Sequence, residues 1–145
     1  IKRICITPVD GIKEVAELDT SSYVPAGTTP LLDAIGSTIR FTKDLLTKKY
    51  GDYKKKVIIS ILTDGYENAS IEFTKPIISN MIVDLKNNFG WEFIFLAANE
   101  DAISTGQSYG IGVNNSYSFA YSSKGTRSAF DTVTSRVASY REENK

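Results

Sequence analysis

Histidine is absent from all 145 residues, and that absence excludes more chemistry than any residue present invites. Without imidazole there is no Ser-His or Cys-His nucleophile pair, no histidine acid–base group and no zinc–histidine site. A metal bound here is held by oxygen, which favours magnesium, calcium or manganese over zinc. The single cysteine, Cys5, forms no internal disulfide, so a cytoplasmic setting is the expectation. An excess of either charge is missing too. Seventeen basic and seventeen acidic residues cancel, and no global field recruits nucleic acid or an anionic membrane. No transmembrane run and no signal-peptide pattern is read in the chain. Phosphate-binding loops of the Gly-x-x-x-x-Gly-Lys-Ser/Thr or Gly-x-Gly-x-x-Gly type are also absent, since Gly106 and Gly110 to Gly112 lack that spacing. What remains is a composition of 41% hydrophobic and 23% charged residues, that of one globular domain with a real core.

One stretch organises the rest: Lys56-Val57-Ile58-Ile59-Ser60-Ile61-Leu62-Thr63-Asp64-Gly65. Val57 to Leu62 is a nearly unbroken β-branched apolar run, the pattern of a parallel strand buried on both faces. It stops at Thr-Asp-Gly, which puts a carboxylate at the carboxyl end of a buried strand. Open α/β sheets bind ligands at that edge. Taken by themselves, Asp64 and Gly65 are equally well read as turn chemistry, with Asp closing the loop and Gly supplying positive φ.

Ile1 to Thr7 reads as an edge strand, Pro8-Val9-Asp10-Gly11 as a turn, and Ile12 to Leu18 as a short segment of undetermined type. Pro30 suits the first position of a helix, with Thr29 as N-cap and Asp33 in the first turn. Leu31, Ile35, Ile39 and Leu45 or Leu46 form its apolar stripe, and Gly51 ends it after Tyr50. Gly36 inside that helix costs about 1 kcal/mol against alanine, which predicts close packing on a neighbour. Beyond the Asp64 loop, Thr74 is expected to cap a second helix with Pro76 just inside it. Its stripe is Ile78, Met81, Ile82, Leu85 and Phe89, and Gly90 stops it. Trp91 to Ala98 is a second buried strand, followed by a polar Asn99-Glu100-Asp101 and a short helix to about Tyr109. Tyr117 to Tyr121 makes a shorter strand. Gly125-Thr126 opens a last helix with the stripe Phe130, Val133, Val137 and Tyr140. Strands alternating with helices predict an α/β domain with a doubly wound, mainly parallel, Rossmann-like sheet and helices on both faces. The strands at Val57–Leu62, Phe93–Ala97 and Tyr117–Tyr121 are expected as parallel neighbours in that order.

Two polar clusters then fall on the same edge. Gly27-Thr28-Thr29 opens the first helix and Asp64 ends the strand that follows it, so in a right-handed arrangement both reach one rim. A hydroxyl and a carboxylate converging there suit a hard cation. Glu67 and Asn68, in the loop after Asp64, are candidates to shape that rim or touch a partner, although solvation explains most loop polar residues. The basic cluster Lys48, Lys49, Lys54, Lys55 and Lys56 reads as cations at a helix C-terminus and guards of a sticky strand. The aromatic residues of the strands read as core and surface faces rather than stacking platforms.

Three quoted segments, Gly-Thr-Thr-Pro-Leu-Leu-Asp-Ala-Ile-Gly from Gly27, Ile-Leu-Thr-Asp-Gly-Tyr-Glu-Asn-Ala-Ser from Ile61 and Gly-Trp-Glu-Phe-Ile-Phe-Leu-Ala-Ala-Asn from Gly90, occur in this order. With them the chain resembles the von Willebrand factor A domains of the bacterial and phage cytoplasmic branch, from Ile1 to about Tyr140. The resemblance implies a protein-interaction module rather than an enzyme, with no catalytic residues. It implies a metal-ion-dependent adhesion site in which Thr29 contributes its hydroxyl and Asp64 its carboxylate to Mg2+ (or Ca2+ or Mn2+). A protein partner's acidic side chain fills the open position of the ion, with Thr28, Glu67 and Asn68 as the partner-binding rim.

The family's Asp-x-Ser-x-Ser motif has no counterpart. Asp19-Thr20-Ser21-Ser22-Tyr23 ends in tyrosine, follows no buried strand and leads directly into no helix. Aligned with the family, Ile1 to Thr7 is its antiparallel edge strand. The strand-helix-strand carrying the motif is then expected before residue 1, so the domain reads as N-terminally incomplete. One carboxylate and one hydroxyl are few for an ion that takes about six oxygens, and magnesium binding by this chain alone is expected to be weak or absent. Two other readings stay open: a nucleotide- or phosphate-using enzyme on a doubly wound fold, and an inert fragment without metal binding.

Overall fold

The computed structural model describes residues 28–64, 66–98, 101–120 and 122–143. The expectations for Ile1 to Thr7, for residues 8–18, for Asp19 to Tyr23 and for Gly27 lie outside them, as do Gly65, Asn99, Glu100 and Tyr121. Helix α1 spans Leu31–Tyr50. It buries Leu31, Ile35, Ile39 and Leu46 and ends at Gly51, whose φ of 82° is a left-handed conformation that glycine adopts without strain. The helix starts after Pro30 rather than on it, and Thr29 is not its cap.

Strand β1 (Ile58–Thr63), helix α2 (Lys75–Phe89), strand β2 (Glu92–Ala97), helix α3 (Ala102–Ser108), strand β3 (Ser116–Ser118) and helix α4 (Ser123–Glu143) follow. The three strands form one parallel sheet in the order β1-β2-β3. Ile58 lies opposite Glu92 through to Thr63 opposite Ala97, and Phe95 to Ala97 lie opposite Ser116 to Ser118. Alternating helices and parallel strands make this an α/β fold of the doubly wound kind. The third strand, Ser116–Ser118, is shorter than the expected Tyr117 to Tyr121, whose last residue lies outside the described residues. Beyond it, Phe119 still donates its N–H to the Ala97 carbonyl at 3.1 Å.

Helices α1, α2 and α3 cover one face of the sheet, over Ile59, Ile61, Phe93, Phe95 and Ala97. Helix α4 covers the other, with Ala129 and Val133 against Ile94 and Leu96. Strand β2 is buried at every position from Phe93 to Ala97, whereas β1 alternates, with Ile59, Ile61 and Thr63 buried and Ser60 and Leu62 exposed. The expectation of two buried faces therefore holds for β2 and not for β1. Among the described residues β1 also has a strand neighbour on one side only.

Of the expected α4 stripe, Val133 packs on the sheet, Val137 is half-buried and Tyr140 is buried, while Phe130 is 57% exposed and Ala129 faces inward in its place. The close approach at Gly125 favours Ala129. A Cβ there would stand 1.9 Å from the Ala120 carbonyl oxygen, so position 125 and its helical successors Ala129 and Val133 face inward. Ser122 caps this helix by accepting the Gly125 N–H at 3.0 Å. At its far end Arg136 pairs with Glu92 at 3.0 Å and the Tyr140 hydroxyl donates to the Gly90 carbonyl at 2.8 Å, which ties α4 to the amino edge of the sheet. Among the described residues no helix is long and apolar enough to cross a membrane.

Candidate functional site at the carboxyl edge

Helix α1 and the loop after β1 hold each other by exchanging hydrogen bonds. A helix leaves its first N–H groups without intrahelical partners, and α1 begins after a proline that offers no capping side chain. The loop supplies the acceptors. Glu67 Oε2 accepts the Leu32 N–H at 2.8 Å, and Ser70 Oγ accepts the Asp33 N–H at 3.0 Å. Asn68 brackets Thr29: its Oδ1 accepts the Thr29 N–H at 2.8 Å, and its own N–H donates to the Thr29 carbonyl at 3.1 Å. In return the Asp33 carboxylate, buried at 7% exposure, accepts the N–H groups of Ile71, Glu72 and Phe73 at 2.9, 3.0 and 2.8 Å. Thr74 stands at the N-cap position of α2, but its side chain makes no capping bond. Only its carbonyl serves, accepting the Ile78 N–H at 3.0 Å.

Glu67 is occupied on both oxygens. Oε1 accepts the N–H groups of Ala69 and Ser70 at 3.1 and 2.7 Å, while Oε2 accepts the Ser70 hydroxyl at 2.7 Å beside Leu32. Burial by itself raises its pKa. The donors from Leu32, Ser70 and Ala69 outweigh burial and hold the group below the ordinary carboxylate value. It is therefore ionised at neutral pH, with its roughly four lone-pair sites filled. The packing beneath explains Gly36. A Cβ there would lie 2.5 Å from the Phe73 ring, which also carries the Arg40 guanidinium 4.4 Å from its centroid.

Asp64 differs. It follows the last residue of β1, is exposed, and accepts no hydrogen bond from the described residues. Thr28 and Thr29 stand just before α1, Glu67 and Asn68 in the loop after Asp64, so all five predicted site residues lie at the carboxyl edge. Glu67 and Asn68 are not merely solvated, because their side-chain acceptors serve α1 and its approach. The sequence reading missed the role of Asp33, seen only as a first-turn charge, and of Ser70.

Thr63 separates two hollows. One, of ≈ 780 Å³, opens between Leu62, Asp64, Phe119, Ser122 and Thr126. The other, of ≈ 200 Å³, lies among Leu31, Glu67, Lys75, Phe95, Thr105 and Tyr109. No group of three or more aspartate, glutamate, cysteine or histidine residues able to hold a metal occurs among the described residues. Asp64 and Thr29 bring two oxygens where a hard cation takes six or more, so the described residues do not fit a complete ion site. The chain matches no family profile, and comparisons with curated proteins and with solved structures find no match.

Proposed function

We propose that this chain is a protein-interaction module of the von Willebrand factor A type, not an enzyme, and that its carboxyl-edge rim takes an acidic group of a protein partner. The observation that carries the reading is the condition of Asp64. It accepts no hydrogen bond from the described residues, while Glu67 in the same loop is consumed by hydrogen bonds that fix the loop's shape. The order of the three motifs and the doubly wound parallel fold support the same reading. Thr29 and Asp64 are the proposed ligands of a magnesium-type cation, and Thr28 belongs to the rim. Glu67 and Asn68 hold that rim in place. Further ligands must come from outside the described residues, because two oxygens compete poorly with the ion's own hydration. A bacterial or phage cytoplasmic setting is part of the proposal and rests on the motif likeness and the lone cysteine.

Calorimetric titration with magnesium tests it. The chain alone should show no saturable site at millimolar metal. Supplying an upstream segment with an Asp-x-Ser-x-Ser motif should create one that Asp64→Ala removes. No binding with the segment present, or binding indifferent to Asp64→Ala, would sink the adhesion-site reading.

A further inference from the structure

The ≈ 200 Å³ hollow gathers donors that nothing in the described structure uses. Tyr109 is only 2% exposed, yet its hydroxyl hydrogen-bonds to none of the described residues. Its ring is fixed edge-on against Phe95, with centroids 5.8 Å apart at 83°, so the hydroxyl cannot swing away to solvent without breaking that packing. Thr105 stands one helical turn before it on α3, and its hydroxyl is likewise unengaged among the described residues. Lys75, the first residue of α2, makes no ion pair or hydrogen bond with them. Its ammonium lies 5.9 Å from the Tyr109 ring centroid, at the outer limit of a cation–π contact, and keeps its three donors. Burial, and then the Glu67 charge, raise the Tyr109 pKa above its ordinary value, so the phenol remains a donor. The one carboxylate lining the hollow, Glu67, has its acceptor sites filled by α1 and its own loop.

Three donors unengaged among the described residues line one hollow, and an acceptor placed there could satisfy them together. We infer that this hollow is a metal-independent subsite for a carboxylate, bound by the Lys75 ammonium and the hydroxyls of Thr105 and Tyr109. The volume suits one small group rather than a drug-sized ligand. The nearby Glu67 charge favours a singly charged carboxylate over a phosphate dianion. The inference does not rest on the adhesion-site reading, because no cation enters it.

Amide NMR titration with sodium acetate, in EDTA and at constant ionic strength set with chloride, tests the subsite. Saturable shifts are expected at Lys75, Thr105 and Tyr109. Lys75→Met should weaken the affinity at least tenfold and Tyr109→Phe severalfold, with spectra otherwise native. Inorganic phosphate should bind more weakly than acetate. A short aspartate-containing peptide separates the sources: tighter binding than acetate identifies a protein side chain, and equal binding a free small acid. Absence of saturation with both acetate and peptide, shifts indifferent to both variants, or phosphate binding tighter than acetate would overturn the inference. Because the titration is free of metal, its failure leaves the magnesium experiment untouched, and the reverse holds too.

Discussion

The corner where α1 meets the loop after β1 and the rim around Asp64 are built from similar residues and behave oppositely. At the corner, Asp33 accepts three backbone N–H groups and Glu67 accepts three, with a serine hydroxyl besides. At the rim, Asp64 accepts none from the described residues. The difference is one of available donors. A helix start and an irregular loop both expose N–H groups that no ladder satisfies, and a carboxylate placed between them is drawn into structure. Asp64 follows directly on β1, faces solvent, and stays available. Carboxylates near a sheet edge are thus not interchangeable evidence of a site: those that satisfy the backbone hold the edge still, and those that do not can meet a ligand.

Breaking the corner should have the largest effect. Asp33→Ala removes a buried acceptor and strands the N–H groups of Ile71, Glu72 and Phe73, at an expected cost of about 3 kcal/mol. Urea unfolding should show a lower midpoint with an unchanged slope. Asp33→Asn, which keeps one acceptor oxygen, should lose about half as much.

Glu67→Gln sharpens the comparison by pH. Because the folded pKa of Glu67 is depressed, its contribution is fully present above the unfolded value of about 4.3. It is lost as pH falls through the folded value. The stability gap between wild type and Glu67→Gln is expected to be about 1–2 kcal/mol at pH 7, the scale of a lost helix cap. In urea unfolding run at several pH values, the gap should narrow as pH drops below about 4. A gap that widens in acid would show that the carboxylate is not stabilised by the corner's donors.

Asp64→Asn should do least to stability, within about 0.5 kcal/mol of wild type by thermal or urea unfolding. A loss near that of Asp33→Ala would mean that Asp64 too is structural, and the contrast between corner and rim would collapse.

Much of the fold was legible in the residues. Helical stripes ended by Gly51 and Gly90 located α1 and α2, because glycine reaches the left-handed cap conformation cheaply. The apolar runs located β1 and β2 and, with the helices between them, the parallel order. The exposure of Phe130 on α4 was not legible, since Phe130 and Ala129 are both apolar and a backbone contact at Gly125 chose between them. Nor was the exposed face of β1, whose β-branched run looks the same whether one side is covered or two.

The site divides the same way. Thr28, Thr29, Asp64, Glu67 and Asn68 could be assigned to one edge from topology alone, because loops entering helices and strand carboxyl ends share a rim in right-handed α/β units. Which of them are engaged depended on contacts between segments distant in sequence: Leu32 with Glu67, Asp33 with Ser70 and Phe73. The small hollow joins residues from three helices, two strands and the loop after β1, and no spacing in the chain announces it. Sequence by itself determined the elements, the glycine stops of α1 and α2 and the edge at which polar groups collect, since these follow from local conformational preference and hydrophobic period. Only tertiary structure decided which carboxylates the backbone consumes and which donors remain open, because hydrogen-bond satisfaction is settled between segments and not along them.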